Sequence, residues 1–251
     1  MFLFLSMNLP YFYEPFITSE HHLLTEETSK HCVQVLRMKE GEQLQLTDGK
    51  GNLFTAVITK ADKKICEVRI EEGYQLQDRN STQPVTGNQQ PAISNISIAI
   101  SLLKNPTRFE WFLEKATEIG VREIHPLICD HTEKENFRFE RMNNILISAM
   151  LQSKQAWLPQ LHQPKKFDVF INENFNGLKL IAHCVEEEKQ SLKDFTNQTT
   201  NKLILIGPEG DFSTSEIESA LKQGFLPVSL GSTRLRSETA GIVAVTFLNS
   251  I

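Results

Sequence analysis

The feature that most constrains this chain is an alternation of strand and helix patterns that begins near residue 92. ISIAISL (96–102) alternates like a strand, and Asn105-Pro106 then supplies an N-cap and a proline at the first helical position of a helix that ends at Gly120. Alternating strands and helices predict a parallel sheet with helices on both faces. Further strands are predicted at 123–128, 179–182, 202–206 and 227–230, and further helices at 140–157, after Ser213 and from Ser237.

A polar stretch without periodicity separates this part from the residues before it. QLQDRNSTQPVTGNQQP (75–91) is rich in turn residues, and apolar patterning resumes on both sides. Before it, LQLTDGKGNLFTAVITK predicts two strands and KKICEVRI (63–70) a third. We therefore expect a small, mainly β domain at 1–74, a linker at 75–91 and an α/β domain at 92–251. A surface loop inside one domain is the alternative interpretation of 75–91.

Charge and cysteine content exclude some classes of protein. With 26 basic and 31 acidic residues the net charge is -5, so an RNA partner would need a local basic patch. The four cysteines are far apart and form no Cys-x-x-Cys pair, which argues against a zinc site and against a secreted disulfide framework. A location in the reducing cytoplasm is therefore expected. No metal is expected. MFLFLS is too short for a signal peptide, and no run approaches the roughly 18 apolar residues of a membrane span.

Ligands of parallel sheets bind at the carboxyl ends of the strands, which directs attention to LIGPEGDFSTSE (205–216). Gly207 and Gly210 allow backbone angles closed to other residues, Pro208 stiffens the turn, and Ser213 with Glu216 predicts a capping box. Such a turn could serve only to pack a helix against a sheet. Its acids would repel a phosphate, and the P-loop lysine is missing, so a neutral or cationic ligand with hydroxyl groups fits better.

A second loop of the same kind is VSLGSTRLRSETAG (228–241), which holds Arg234, Arg236 and Glu238. In the simplest interpretation Glu238 is a first-turn acid favoured by the helix dipole, and Arg236 is its solvated partner. Two equivalent loops on neighbouring strand ends nevertheless favour a ligand pocket between them.

Together, GPEGDFSTSE and LGSTRLRSETA resemble the signature of the SPOUT methyltransferases, and specifically the ribosomal RNA small subunit methyltransferase E family. The resemblance extends to FYEP, HCVQVLRMKEGE and KNPTRFEWFLEKATEIGV. It implies a PUA-like β-barrel RNA-binding domain followed by an α/β SPOUT domain with a C-terminal trefoil knot, which periodicity does not indicate. It also implies S-adenosylmethionine as cofactor, a homodimer, and methylation of N3 of a specific uridine in 16S ribosomal RNA.

The resemblance and the two loops give the candidate site residues. Arg236 is the candidate for stabilising negative charge on the uracil carbonyls, and Glu238 for taking the N3 proton or fixing Arg236 in a bidentate pair. The histidine at 183 is favoured as a buried residue over a catalytic one. The cofactor-binding candidates are Ala182, His183, Cys184, Leu205, Gly207, Pro208, Glu209, Gly210, Leu230, Gly231, Leu235, Arg236, Thr239 and Ala240. The RNA-binding candidates are Arg37, Lys63, Lys64, Lys104 and Arg108.

Three positions depart from the family pattern. Asp211 replaces a usual glycine, Tyr11 and Phe12 stand where a basic residue is common, and Lys154 replaces an arginine. Aspartate tolerates a left-handed conformation, so the turn should survive; if Asp211 strains it, Asp211→Gly should raise cofactor affinity. Two other functions stay open: a SPOUT methyltransferase with another RNA target, and a non-catalytic RNA-binding ribosome-assembly protein. The substrate could be free RNA or the assembled small subunit.

Overall fold

The computed structural model describes residues 9–75, 96–185, 188–196 and 201–249. The chain divides into two compact units, one of Met1–Pro91 with Met150–Leu158 and one of Ala92–Ala149 with Pro159–Ile251. MFLFLS and residues 76–91 of the predicted linker lie outside the described residues.

The first unit is built on a five-stranded sheet in the order β1-β3-β4-β5-β2, in which only β1 and β3 are parallel. Its inner face packs around a core that includes Phe12, Leu46, Ile58 and Val68. This is the mainly β domain that the sequence predicts. Its elements are β1 (Tyr11–Tyr13), β2 (His21–Leu23), α1 (Glu26–Lys30), a π-helical turn (His31–Val35), β3 (Gln43–Thr47), β4 (Asn52–Lys60) and β5 (Glu67–Gln75).

The third predicted strand starts later than KKICEVRI suggests. The carboxylate of Asp62 accepts hydrogen bonds from the amides of Lys64 (2.7 Å) and Ile65 (3.4 Å), which closes a turn over these residues. Pairing with β4 therefore begins only at Glu67. Local side-chain to backbone bonds of aspartate compete with the strand ladder in this way.

The helix predicted at 140–157 is also shorter than its pattern, because α3 ends at Gln152. Lys154 has a left-handed backbone with φ 53°, which a helix does not continue through. The following residues pair with the β3–β4 turn of the first unit: the Ala156 carbonyl accepts from the Thr47 hydroxyl (3.1 Å) and from the Gly51 amide (2.9 Å). The segment Met150–Leu158 therefore belongs to the first unit, which the sequence did not indicate.

The second unit contains an eight-stranded sheet in which every described pairing is parallel. The strand order is β11-β13-β10-β12-β6-β7-β8, and β9 pairs with β7. The strands are β6 (Ile96–Ser101), β7 (Glu123–Ile128), β8 (Gln160–Leu161), β9 (Lys165–Lys166), β10 (Leu178–Ala182), β11 (Gln190–Ser191), β12 (Lys202–Ile206) and β13 (Leu226–Ser229). The helices are α2 (Pro106–Ile119), α3 (Phe139–Gln152), α4 (Phe167–Phe170), α5 (Thr214–Lys222) and α6 (Ser237–Leu248), with a 3-10 turn at Leu192–Phe195.

The ends of α2 confirm the sequence prediction. The Asn105 side chain accepts a hydrogen bond from the Thr107 amide at 3.0 Å, Pro106 is the first helical residue, and Gly120 ends the helix with φ 112°. A left-handed residue of this kind is easiest for glycine, which has no Cβ to clash.

Helices cover both faces of the central strands, as the alternation predicts. On one face Leu205 of β12 packs in a core with Ile217 of α5. On the other face α6 lies against β6 and β12, and the buried Lys202 ammonium donates to the Leu248 carbonyl at the end of α6 (3.3 Å). In the part of the chain that the structure describes, no helix is long and apolar enough to cross a membrane.

Candidate active site

The loop after β12, residues 207–213, is called loop A. It contains a turn in which the Asp211 amide donates to the Pro208 carbonyl at 3.0 Å. The predicted capping box is confirmed, since Ser213 Oγ accepts from the Glu216 amide (3.3 Å) and Glu216 Oε2 accepts from the Ser213 amide (2.8 Å). This reciprocal pair satisfies two amides and sets where α5 begins.

Neither glycine of loop A uses the left-handed backbone angles that the residue allows, because neither has a positive φ. Their small size matters instead. A Cβ on Gly207 would lie 3.1 Å from the Phe212 nitrogen, and one on Gly210 would lie 3.2 Å from the His131 Cβ. The left-handed residue of the loop is Asp211, with φ 66°.

Loop A is bonded to three neighbouring segments of the second unit. Asp211 Oδ2 accepts from the Cys184 amide just after β10 (2.7 Å), and His131 Nδ1 lies 2.9 Å from the Asp211 carbonyl oxygen. Glu209 Oε1 accepts from the Lys104 amide between β6 and α2 (3.1 Å). These bonds fix the loop before any ligand arrives.

The loop after β13, residues 230–236, is called loop B and is far less bonded. Ser229 Oγ donates to the Gly231 carbonyl (3.1 Å) and accepts from the Gly231 amide (3.3 Å). Arg234 and Arg236 are exposed, and within the described ranges neither guanidinium forms a hydrogen bond or an ion pair. Arg236 occupies the N-cap position of α6 without a side-chain cap bond.

Loop A, loop B and the end of β10 enclose a cavity of about 320 Å³, within the size range of small-molecule sites. The predicted cofactor residues that line it are Ala182, Cys184, Gly207, Pro208, Glu209, Leu235, Arg236 and Ala240. The lining residues that the sequence interpretation missed are Ile206, Asp211, Arg234 and Ser237. Asp211 and Arg234 lie within the two loops, Ile206 is the last residue of β12 and Ser237 is the first residue of α6, so their positions next to the predicted residues were the available signal.

The remaining cofactor candidates do not line the cavity: His183, Leu205, Gly210, Leu230, Gly231 and Thr239. Ile206 faces the cavity, and successive strand residues face opposite sides of the sheet. Leu205 therefore lies on the other side, in a hydrophobic core with Ile217. His183 is buried, and its carbonyl accepts from the Lys189 ammonium at 2.6 Å.

Glu238 is only 6 % exposed and lies in the first turn of α6. Its Oε1 lies 3.8 Å from Nε of Arg108, in the first turn of α2, and its Oε2 is buried without a hydrogen-bond partner in the described part of the chain. The predicted bidentate pair with Arg236 is wrong, since α6 packs on α2 and brings Glu238 to Arg108 instead.

The cavity wall carries acids and a thiol. Partial burial raises the pKa of the Cys184 thiol, and the neighbouring Asp211 carboxylate raises that pKa further. The thiol therefore stays protonated near neutral pH, and the negative charge of the wall is that of Glu209 and Asp211.

The basic residues predicted to bind RNA differ in their surroundings. Arg37, Lys63 and Lys64 are exposed in the first unit. In the second unit, Lys104 forms an ion pair with Glu133 at 2.8 Å, and Arg108 is the partner of Glu238. Lys104 and Arg108 thus already form ion pairs with carboxylates of the second unit.

One side-chain cluster of the second unit has the composition of a metal site. Nε2 of His125 and Nε2 of His162 lie 3.2 Å and 3.3 Å from Oε2 of Glu123. The two histidine rings stack at 4.0 Å with an interplanar angle of 11°, and one ligand atom from each of the three residues lies within 4.8 Å of the others. Hydrogen bonds from His125 and His162 lower the pKa of Glu123 to about 2. The geometry is that of a hydrogen-bonded cluster, and the absence of a metal remains a prediction.

In comparisons with known proteins, both units match domain families of RNA methyltransferases. Residues 89–249 match the RNA methyltransferase domain family, and residues 24–71 match the RNA methyltransferase PUA domain family. A probable rRNA-methyltransferase from Porphyromonas gingivalis is 41 % identical, with a TM-score of 0.83 over 95 % of this chain and 96 % of that one.

Two further relatives carry a more specific description. The ribosomal RNA small subunit methyltransferase E of Neisseria gonorrhoeae, solved bound to S-adenosyl methionine, is 29 % identical with a TM-score of 0.80 over 94 % of this chain and 95 % of that one. The protein of the same name from Buchnera aphidicola is 28 % identical over 93 % of this chain and 89 % of its own length.

Proposed function

This chain belongs to the ribosomal RNA small subunit methyltransferase E family of RNA methyltransferases, and we propose that it transfers a methyl group from S-adenosylmethionine to N3 of a specific uridine in 16S ribosomal RNA. The observation that carries this proposal is the cavity between loop A, loop B and β10. The uridine and its N3 atom come from the family resemblance and are the part that needs experiment.

The residues that line the cavity fit the cofactor. Ile206, Leu235 and Ala240 offer apolar surface for an adenine ring, and the carboxylates of Glu209 and Asp211 suit ribose hydroxyls and a sulfonium cation. When bound, S-adenosylmethionine supplies an electrophilic methyl group. The residues that would hold the cofactor are those of loop A, loop B and the end of β10 that line the cavity.

Uridine N3 carries a proton, so the protein must stabilise the anionic base or remove that proton. Arg236 is the proposed stabilising residue, because it lines the cavity and is exposed, and its guanidinium has no hydrogen bond or ion pair among the described residues that would have to break first. Its donors could reach the uracil carbonyl oxygens as negative charge develops on them.

The role proposed for Glu238 is to position Arg108. A buried carboxylate needs a cationic partner, and the Arg108 guanidinium is the one beside it. Arg108 would then extend the positive charge at the site toward the RNA. Proton removal by Oε2, which has no partner in the described chain, is the second possibility for Glu238.

Other parts of the proposal rest mainly on the resemblance. Arg37, Lys63 and Lys64 are proposed to contact RNA phosphates because they are exposed cations of the unit that matches a PUA domain. Lys104 is a weaker candidate because it is paired with Glu133. A homodimer, a trefoil knot and a cytoplasmic location are also proposed; all four cysteines being free thiols agrees with a reducing compartment.

The product identifies the reaction. Purified protein is incubated with S-adenosylmethionine and either free 16S RNA or small subunits from a strain that lacks the endogenous enzyme, and digested nucleosides are analysed by mass spectrometry. We expect 3-methyluridine at one position. A different methylated nucleoside would favour another RNA target, and cofactor binding without any methylation, or no binding at all, would favour a ribosome-assembly role.

Arg236→Ala tests the mechanism. Loss of one positioned donor to a developing oxyanion costs roughly 100- to 1000-fold in turnover, and we expect that loss here with a cofactor Kd within about threefold of wild type. Arg234→Ala, which removes the other exposed arginine of loop B, is the matched control for charge alone. Near wild-type turnover of Arg236→Ala would remove this residue from the mechanism.

A further inference from the structure

Asp211 lines the cavity, has a left-handed backbone, and uses both carboxylate oxygens in hydrogen bonds. We propose that its side chain is a clasp that holds loop A to the end of β10 and so positions the cofactor-binding wall. The inference rests on the proposed function, because it assigns Asp211 a positioning role in binding S-adenosylmethionine.

The clasp consists of two short hydrogen bonds. Oδ2 accepts from the Cys184 amide at 2.7 Å, and Oδ1 accepts from the Phe212 amide at 2.8 Å. An ionised carboxylate that accepts amide hydrogens forms charge-assisted bonds, which are shorter and stronger than neutral ones. One side chain therefore joins the segment after β10 to the segment that leads into α5.

The clasp lies beyond the last residues that pair β10 with β12 in the sheet. The ladder between β10 and β12 ends with Ala182 opposite Ile206, and the two chains continue separately beyond it. Cys184 and Asp211 both lie past that last pair, and both line the cavity. Beyond the last pair of β10 and β12, the Asp211–Cys184 bond thus connects loop A to the segment after β10, and both segments line the cavity.

A clasp and a strained residue give opposite predictions for glycine. The left-handed backbone at Asp211 would suit glycine better, so if strain dominated, Asp211→Gly would improve the site. Aspartate and asparagine tolerate this conformation at little cost, whereas a lost charge-assisted bond is not replaced. We therefore expect Asp211→Gly to weaken cofactor binding, the reverse of what a strained Asp211 would give.

The experiment compares Asp211→Gly and Asp211→Asn by calorimetric titration with S-adenosylmethionine. Loss of the clasp should raise the Kd about tenfold in the glycine variant, the effect of one charge-assisted bond. Asparagine keeps one acceptor oxygen and the same backbone preference, so its Kd should rise less, by about threefold. Lys154→Gly is the matched control, because Lys154 is also left-handed, with φ 53°, but belongs to the first unit.

Two further readouts separate positioning from general loosening. In steady-state assays of the Asp211 variants, the KM for S-adenosylmethionine should rise by a larger factor than the factor by which kcat at saturating cofactor falls. Hydrogen exchange at the Cys184 amide should accelerate in both Asp211 variants without cofactor. That measurement needs only folded protein and keeps the inference testable if the glycine variant proves too unstable for titration.

The outcomes distinguish the two proposals. If the wild-type protein binds no S-adenosylmethionine, the proposed function fails, whatever the variants do. If wild type binds and Asp211→Gly binds equally well or more tightly, or if the Cys184 amide keeps its protection in both variants, the clasp is wrong. Weaker binding in the order wild type, Asn, Gly, with faster exchange at Cys184, supports it.

Discussion

Loop A and loop B follow β12 and β13, the strands on either side of β10, and line one cavity, yet they are held in place very differently. Loop A is bonded through Asp211 to Cys184 and through Glu209 to Lys104, and its capping box starts α5. Among the described residues, the side-chain hydrogen bonds of loop B are those between Ser229 and Gly231, and its arginines face solvent. The difference suggests that loop A is preorganised for the small cofactor, while loop B is left open for the larger substrate.

The helices that follow the loops differ in the same way. Ser213 caps α5 with the residue type that favours helix starts, whereas α6 begins with Arg236, whose side chain caps nothing. A helix whose N-cap residue is an exposed cation in place of a capping residue is less stable by about 1 kcal/mol. Such departures from the residue preferences of local structure are expected at functional sites. This is an independent reason to assign Arg236 a role beyond structure.

The largest effect that would sharpen this comparison is expected for Glu216→Ala in the first turn of α5, whose side chain caps the end of loop A. Glu216 is buried, and its two oxygens accept from the Ser213 amide (2.8 Å) and the Asp130 amide (3.0 Å). Removing it leaves two amides unpaired, so the free energy of unfolding should fall by about 3 kcal/mol. Chemical unfolding followed by circular dichroism measures this change.

The control for Glu216→Ala is Glu218→Ala, an exposed residue of the same helix that should change stability by less than about 0.5 kcal/mol. If the two variants were equally stable, loop A would not be held by its capping box. The contrast with loop B would then lose its main structural support.

A smaller loss is expected for Gly241→Ala, which tests how loop B is anchored at its far end. A Cβ on Gly241 would lie 2.6 Å from Cε2 of the buried Phe112 and 3.2 Å from Cδ1 of Ile100. Overpacking costs about 2 kcal/mol, and the better helix propensity of alanine returns about 1 kcal/mol, so we expect a net loss of about 1 kcal/mol.

Thr246→Ala on the exposed side of α6 is the control, since it changes helix propensity without a clash. A stabilised Gly241→Ala would mean that α6 can move away from α2. The helix that follows loop B would then not be held firmly against α2, and loop B would lack a fixed anchor at that end as well.

The sequence predicted the fold of the second unit well because its signals are local. Asn105-Pro106, Gly120 and the Ser213–Glu216 box each specify a helix end within a few residues, and the structure confirms all three. Where a non-local contact decides, prediction failed: the pattern up to Trp157 is helical, but the segment after Gln152 pairs with the β3–β4 turn.

The candidate site shows the same limit. Loop residues such as Pro208 and Leu235 could be assigned to the cavity from position alone. The partner of Glu238 could not, because Arg108 is distant along the chain and meets it only through the packing of α2 on α6. The clasp by Asp211 was likewise invisible, since its acceptor role depends on where the Cys184 amide lies beyond the ladder.

The smallest expected effect, and the only gain, is for Arg236→Ser at the start of α6. The backbone of residue 236 is extended (φ -70°, ψ 154°), as an N-cap requires, and its carbonyl already accepts from the Ala240 amide at 2.7 Å. A serine there could add the missing side-chain cap, so the free energy of unfolding should rise by about 0.5–1 kcal/mol. Unfolding curves of the wild type and the variant measure it.

Arg236→Ala is the matched control for this gain, because it removes the guanidinium without adding a cap, so the stability difference between the serine and alanine variants isolates the cap. Both should lose methyl transfer to the same extent under the proposed mechanism. A serine variant that is no more stable than the alanine variant would show that the start of α6 is already satisfied in another way. A variant that gains stability and loses turnover would show that loop B trades helix stability for an available arginine, which loop A, with its capped helix, does not.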